Sequence, residues 1–268
     1  MALSDIFALS LIQGITEFLP ISSSGHLVLW PLLTGRPDQG VTMDVAVHLG
    51  ALAAVCLYFR RDAGRLVAGL VDILRGRIRT AAARLFWLLA LATLPAMAAG
   101  LALKLTGAVY ALRALEVVGW TTLLGGLLLW YADRVGSQDR YGGDWRLRDA
   151  VAMGLMQALA LVPGTSRSGI TMTMARLLGF ERAEAARLSL LMAMPVILAA
   201  GGLETLGLIR DGKLALTPEL GLGAALSFLA ALAALAVMMR MFRRDWSMLP
   251  FVLYRLALGA GLLALAYL

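Results

Sequence analysis

A chain of 268 residues that is 60% hydrophobic and only 15% charged, with a mean hydropathy of +0.80, departs from soluble domains, which lie nearer half apolar and a quarter charged. This excludes a soluble two-domain protein, although the length alone would allow one. The net charge of +7 is assigned to basic loops flanking membrane spans rather than to nucleic-acid binding, and a single cysteine, Cys56, excludes an internal disulfide.

In chain order, the opening "MALSDIFALS" holds no Lys or Arg, so no cleaved signal peptide is expected. The apolar run Ile6–Leu19 has 14 residues, about 21 Å of helix against a hydrocarbon core of about 30 Å. It carries Gln13 and Glu17 four residues apart, on one helical face, and ends in "PISSSGH" before a second short piece, His26–Leu33. Three runs long enough to span follow: Met43–Phe59, Leu85–Leu103 and Ala114–Ala132. A second short run, Ala150–Pro163, then gives way to "PGTSRSG" and the short piece Ile170–Leu178. Leu188–Ile209, Leu220–Met239 and Leu249–Leu268 complete six predicted spans.

Each short pair reads as a helix, a loop at membrane depth and a helix returning to the same side, with a single helix kinked at Pro20 or Pro163 as the alternative. Backbone of this kind is tolerated only where it is buried in protein or lines a wet cavity. Sliding the chain by 144 positions sets Gln13 on Gln157, Ser22 on Ser166, Ser24 on Ser168 and Gly25 on Gly169. Three spans separate the copies, so the second enters from the opposite face. The predicted fold is an all-α polytopic membrane protein, one integral domain over residues 1–268. It has six transmembrane helices plus two re-entrant helix–loop–helix units in an inverted-topology repeat, approximately 1–132 and 150–268. Broken helices in such repeats meet near the midplane. Residues 60–84 hold seven arginines against two aspartates, and residues 240–248 add three more arginines. These loops and 133–149 are therefore expected to be cytoplasmic, 104–113 and 210–219 external, and both termini outside.

The chemistry concentrates at the two short units. Glu17 is an ionisable residue near membrane depth, where such groups are costly and usually functional. His26 stands behind Gly25, next to three hydroxyls, where it can serve as a base, a proton donor or a phosphate contact. Arg167 offers a donor fork that matches phosphate. Glycines and helix N-termini let backbone N–H groups face an anion. Ser22, Ser24, Gly25, Gly164, Thr165, Ser166, Ser168 and Gly169 are the candidate substrate contacts. His48, Asp44, Glu116, Glu204 and Arg255 are read as structural, through helix pairing or placement at an interface. Together the loops suit a phosphorylated substrate; no nucleophile elbow, P-loop, HExxH or zinc spacing appears. A metal, if one takes part, would be hard Mg²⁺ or Ca²⁺ on Glu17 with the Gln13 amide.

"QGITEFLPISSSGH" and "PGTSRSG" closely resemble the two signature motifs of the undecaprenyl-diphosphate phosphatases, also called bacitracin-resistance proteins. The resemblance runs the whole length, and "YR" at Tyr254–Arg255 is similar too. It implies a multi-pass enzyme of the bacterial plasma membrane that hydrolyses C55 polyprenyl diphosphate to the monophosphate. Phosphate would be released on the outer, periplasmic face, and the lipid carrier resupplied for cell-wall glycans. It further implies a divalent metal and interlocked re-entrant repeats. The family's two acidic-motif positions fall on Gln13 and Glu17, its essential histidine on His26 and its loop arginine on Arg167. A first of these that is Gln leaves Glu17 as the sole acid. The resulting scheme has Arg167 binding the diphosphate, Glu17 holding the metal or orienting His26, and Ser23 attacking phosphorus as His26 takes its proton, with direct attack by water as the competitor. Partners are the polyprenyl lipid, membrane lipids and, optionally, further copies of the chain. The alternative function is an inverted-repeat transporter or flippase for polyprenyl phosphate.

Overall fold

The computed structural model describes residues 3–35, 40–107, 111–212 and 217–268; the loops expected at 104–113 and 210–219 fall partly outside these. Among the described residues there are eleven α-helices, a short 3-10 turn at Ala111–Arg113 and one isolated bridge pairing Arg140 with Phe180. The helices are α1 (Leu3–Thr16), α2 (Ser23–Thr34), α3 (Val41–Tyr58), α4 (Arg60–Leu74), α5 (Ala81–Thr106), α6 (Leu115–Val135), α7 (Leu147–Leu159), α8 (Arg167–Leu177), α9 (Arg182–Arg210), α10 (Pro218–Arg243) and α11 (Leu249–Tyr267). Six of them, α3, α5, α6, α9, α10 and α11, are long and apolar enough to cross a membrane, and each covers most or all of one expected run. The chain is a polytopic all-helical membrane protein.

Local chemistry sets the helix ends. The Thr80 hydroxyl accepts the Ala83 N–H at 3.1 Å to start α5, and Gly107 ends it with φ 70, a left-handed turn that glycine adopts without strain. Pro218 starts α10, where its missing N–H is no loss. Two differences from the sequence reading bear on the site. Residues 60–84, expected to be a loop, contain helix α4. In addition, α2 and α8 begin at Ser23 and Arg167, earlier than the apolar pieces at His26 and Ile170, because hydroxyl-rich segments are good helix starts. Ser23, Ser24, Gly25, His26, Arg167, Ser168 and Gly169 thus belong to first helical turns rather than to loops.

The short helices stand in matched register: α1 and α7 start 144 residues apart, and so do α2 and α8. Their packing is exchanged. Helix α1 lies on α10, and α7 lies on α5; α3 packs on α9 and α10, α6 on α11, and α8 on α6 and α9. Within lipid there is no hydrophobic drive between helices, so close approach of small residues decides contact. Gly14 faces the Ser227 carbonyl and Ala230 on α10, Gly154 faces the Ala92 carbonyl on α5, and Gly50 faces the Ala224 backbone; a side chain at any of these would overlap the neighbouring helix. The core runs through α8 and α9, where Met172, Ala175, Leu188, Leu190, Leu191, Met192 and Ala193 are buried.

One end of the molecule is held by charge. Arg176, fully buried in the last turn of α8, donates to Asp133 at 3.2 Å and to the carbonyls of Ser137, Gly136 and Phe180. Asp133 also accepts Arg182 at 2.7 Å and the Met248 N–H at 3.0 Å. Helices α6, α8, α9 and α11 therefore converge on one carboxylate. At the same end Arg187 meets Asp62 at 2.6 Å.

The start of α7 depends on Asp149, which accepts Arg140 at 2.5 Å and the Arg146 N–H at 2.9 Å. Burial pushes its carboxyl up, but the hydrogen bonds from Arg140 and the Arg146 backbone prevail and hold it below its ordinary value. A lowered folded-state value stabilises above the unfolded pKa, and that contribution disappears as pH falls through the folded one. The melting temperature of the protein in detergent is therefore expected to exceed that of Asp149→Asn by a constant margin from pH 7 to about pH 5, and the margin to shrink below about pH 4. Thermal scans across this range test it.

Candidate active site

The ends of α1 and α7 and the starts of α2 and α8 meet inside the helix bundle. The turn after α1 is closed by the Glu17 N–H on the Gln13 carbonyl at 2.9 Å, which keeps Glu17 above Gln13 as on a helix. Ser22 and Ser166 then take positive φ, 78 and 66, a conformation costing a non-glycine residue roughly 1–2 kcal/mol. These two positions are also 144 apart. Hydroxyl pairs follow each turn: Ser22 with Ser24 at 3.1 Å, and Ser166 with Ser168 at 3.2 Å. The Ser166 hydroxyl additionally accepts the Gly169 N–H at 3.1 Å, capping α8.

The second serine of each pair reaches the opposite loop. Ser24 Oγ accepts the Gly164 N–H at 3.0 Å, and the Ser168 hydroxyl donates to the Leu19 carbonyl at 2.8 Å. Ser24 and Ser168, expected as substrate contacts, each tie one loop to the other, and Ser22 and Ser166 are buried. Gly164, at φ 90, lies against Thr121 and Val118 of α6 with no room for a side chain. Thr165 is buried and its N–H closes a turn on Val162. Gly25 is buried at the start of α2.

Glu17 is the centre. Its side chain is 8% exposed and accepts three hydrogen bonds, from Gln13 Nε2 at 2.8 Å, the Ser23 hydroxyl at 3.1 Å and Arg167 at 3.1 Å; His48 Nε2 stands 3.7 Å away, beyond hydrogen-bond reach. The Arg167 pair joins residues 150 apart in sequence and leaves the second terminal nitrogen of the guanidinium, Nη1, buried without a partner. The structure therefore brings Gln13, Glu17, Ser23 and Arg167 into one cluster.

His26 is placed differently from the expected scheme. Its Nδ1 faces the Ser22 carbonyl at 2.7 Å, which requires an N–H there and leaves Nε2 as the acceptor of the neutral ring. The Nε2 meets the Tyr254 hydroxyl at 2.6 Å, and the two rings stack 5.6 Å apart. Neither Ser23 nor Glu17 is a hydrogen-bond partner of His26; the base in contact with the Ser23 hydroxyl is Glu17.

Three further residues stand at the site to which the sequence reading gives no role there, although Tyr254 and Arg255 belong to the resemblance. His48 was assigned a structural role because no polar neighbour stands beside it in sequence, yet α3 carries it to Glu17. Tyr254 reaches His26 from α11. Arg255, assigned to helix pairing, does pair α11 with α6 by donating to the Thr122 carbonyl at 3.1 Å. It also donates to the carbonyls of Gly164 at 3.1 Å and Thr165 at 2.9 Å, so it holds the second loop from behind. Its signal was present as the one charge in an otherwise uncharged run from Leu249 to Leu268. Thr121 and Thr122 assist by donating to Pro163 and Gly164.

Among the described residues no three His, Cys, Asp or Glu side chains converge as a metal site. The donor types nonetheless suit a hard cation: Glu17 offers a carboxylate, and the Gln13 amide, whose Nε2 faces that carboxylate, has its Oε1 buried with no hydrogen-bond partner.

Sequence comparisons place the chain in a known family. Residues 6–261 match the family described as Bacitracin resistance protein BacA. The chain is 52% identical to an undecaprenyl-diphosphatase of Dinoroseobacter shibae, 51% to one of a Jannaschia species and 52% to one of Ruegeria pomeroyi. In each case the match covers 100% of both chains. The chain belongs to the bacitracin resistance protein BacA family.

Removing either member of the Glu17–Arg167 pair leaves an uncompensated buried charge. Glu17→Gln with Arg167→Gln is expected to destabilise by at least about 1 kcal/mol less than the two single changes summed, measured by denaturation in detergent. Arg255→Ala, which deprives the carbonyls of Thr121, Thr122, Gly164 and Thr165 of a charged donor, is expected to cost roughly 2–4 kcal/mol and to expose the 163–169 segment to limited proteolysis.

Proposed function

We propose, for this member of the BacA family, that the chain hydrolyses undecaprenyl diphosphate to the monophosphate and inorganic phosphate, with the diphosphate seated between the 17–26 and 163–169 segments. The observation that carries the reading is the Glu17–Arg167 ion pair, with Ser23 on the same carboxylate and an unpartnered Arg167 Nη1 beside it. An anion admitted to that buried nitrogen would displace no hydrogen bond there, and the N-termini of α2 and α8 add the partial positive charge that favours phosphate.

The chemistry follows from the hydrogen bonds. Ser23 already donates to Glu17, so the carboxylate is positioned to take the hydroxyl proton as Oγ attacks the terminal phosphorus. The bond to the bridging oxygen breaks and undecaprenyl phosphate leaves, while Arg167 offsets the charge developing on the phosphoryl oxygens. His26, with Nε2 on the Tyr254 hydroxyl, is suited to pass a proton at the later hydrolysis of the phosphoserine. Direct attack by water held at Glu17 is the competing route. Gln13 and Glu17 would hold Mg²⁺ or Ca²⁺; when bound, the ion supplies further charge neutralisation at the diphosphate.

The short pairs α1–α2 and α7–α8 are read as re-entrant units of an inverted repeat. Supporting this are their matched starts, the positive φ at Ser22 and Ser166, the paired hydroxyls and the exchanged packing on α10 and α5. Arginine-rich segments at 60–84 and 240–248 support a cytoplasmic placement of that end, with the diphosphate site opening to the periplasmic side.

Purified protein is expected to release phosphate from a C55 diphosphate, and less after chelation and dialysis of divalent ions. Glu17→Ala, Ser23→Ala, His26→Ala and Arg167→Ala should each fold and lose at least about 100-fold in rate. Trapping of ³²P on the protein from terminally labelled substrate, absent in Ser23→Ala, separates serine attack from water attack; wild-type turnover by a folded Glu17→Ala protein would refute the site.

A further inference from the structure

Helix α4 plays no part in the site, and its surface divides into three stripes one residue out of phase. Asp62, Leu66, Gly69 and Ile73 face the protein, with Gly69 set directly against the Ala82 carbonyl of α5. Ala63, packed on the core, starts the next stripe, which continues as Val67, Leu70 and Leu74, apolar yet uncovered: Val67 is 65%, Leu70 42% and Leu74 77% exposed. Arg61, Arg65, Ala68 and Asp72 form the third. At 3.6 residues per turn the apolar and the charged stripes point roughly opposite ways.

The position of α4 limits what can cover the apolar stripe. Helix α3 ends at Tyr58 and α4 begins at Arg60, with Phe59 capping both. The chain then enters the span α5 at Ala81. Helix α4 therefore lies at a membrane face, at 15 residues and with its charges too short and too polar to cross. Its carboxylates are turned to partners within the protein: Asp62 to Arg187 and Arg65, and Asp72 to the Thr80 hydroxyl. Arg60, Arg61, Arg75, Arg77 and Arg79 are all exposed.

We infer that α4 is an in-plane surface helix that sinks its Val67–Leu70–Leu74 stripe into the acyl boundary of the membrane and binds acidic phospholipid headgroups through the arginines at both of its ends. Amphipathic helices with this division of faces lie at the interface, and juxtamembrane basic residues draw anionic lipid. A second copy of the chain on the same stripe would set one arginine cluster against another across the two-fold axis of a symmetric contact, so charge complementarity favours the lipid.

The test uses full-length protein in a Cys56→Ala background, reconstituted in phosphatidylcholine vesicles with and without phosphatidylglycerol. Spin labels are attached through Val67→Cys, Leu70→Cys or Leu74→Cys, and through Ala68→Cys. Collisional access is expected to favour oxygen over a water-soluble nickel complex at 67, 70 and 74, and to reverse at 68. Phosphatidylglycerol is expected to raise the melting temperature, and the combined Arg61→Gln, Arg75→Gln, Arg77→Gln and Arg79→Gln protein to lose that rise while retaining its phosphate-release rate in detergent. Nickel access at 67, 70 and 74 would overturn the inference. So would dipolar broadening there that dilution with unlabelled protein relieves, which would identify a second copy as the cover. An undiminished phosphatidylglycerol effect in the arginine variant would overturn headgroup binding.

Discussion

The site depends on one ion pair, Glu17 with Arg167 at 3.1 Å. Either charge alone would be costly at 8% and 13% exposure in a low-dielectric bundle, because desolvation of a lone ion costs several kcal/mol. Each therefore needs the other beside it, and the two segments carrying them must meet inside the bundle. The shortness of α1 and α7, the turns after them and the helix starts at Ser23 and Arg167 are all arranged around that requirement.

Hydroxyls make the arrangement affordable. A turn inside a bundle leaves backbone groups without helical partners, and here serines and threonines supply them. Ser24 and Ser168 each stitch one turn to the other, Thr121 and Thr122 hold Pro163 and Gly164, and Arg255 gathers the carbonyls behind. The hydroxyls of the serine-rich motifs thus form part of the scaffold of the site. Ser23 is the exception, because its hydroxyl turns to Glu17 and not to backbone.

The opposite charge cluster, Asp133 with Arg176 and Arg182, does the same work at the other end of α8. That helix is consequently held at both termini by charge: Arg167 at its start faces Glu17, and Arg176 at its end faces Asp133. An element so fixed carries Arg167 with little freedom to reorient, which suits a residue that must meet phosphate in one geometry.

The sequence by itself determined the class of protein, the six spans and the identity of the two chemical segments, because hydrophobic length and rare polar residues in an apolar chain are local signals. Glu17, Ser23 and Arg167 were legible for that reason, as was the 144-residue register. Only the tertiary structure decided which partner each side chain takes. His48 and Tyr254 come to Glu17 and His26 from helices whose sequence gives no hint of direction, Arg255 turns out to support a loop 90 residues away, and His26 bonds to Tyr254 where sequence order suggested Ser23. Helix α4 was hidden in a run read by its charge alone. Periodicity fixes the face of a helix, but which neighbour meets that face depends on packing between segments far apart in the chain.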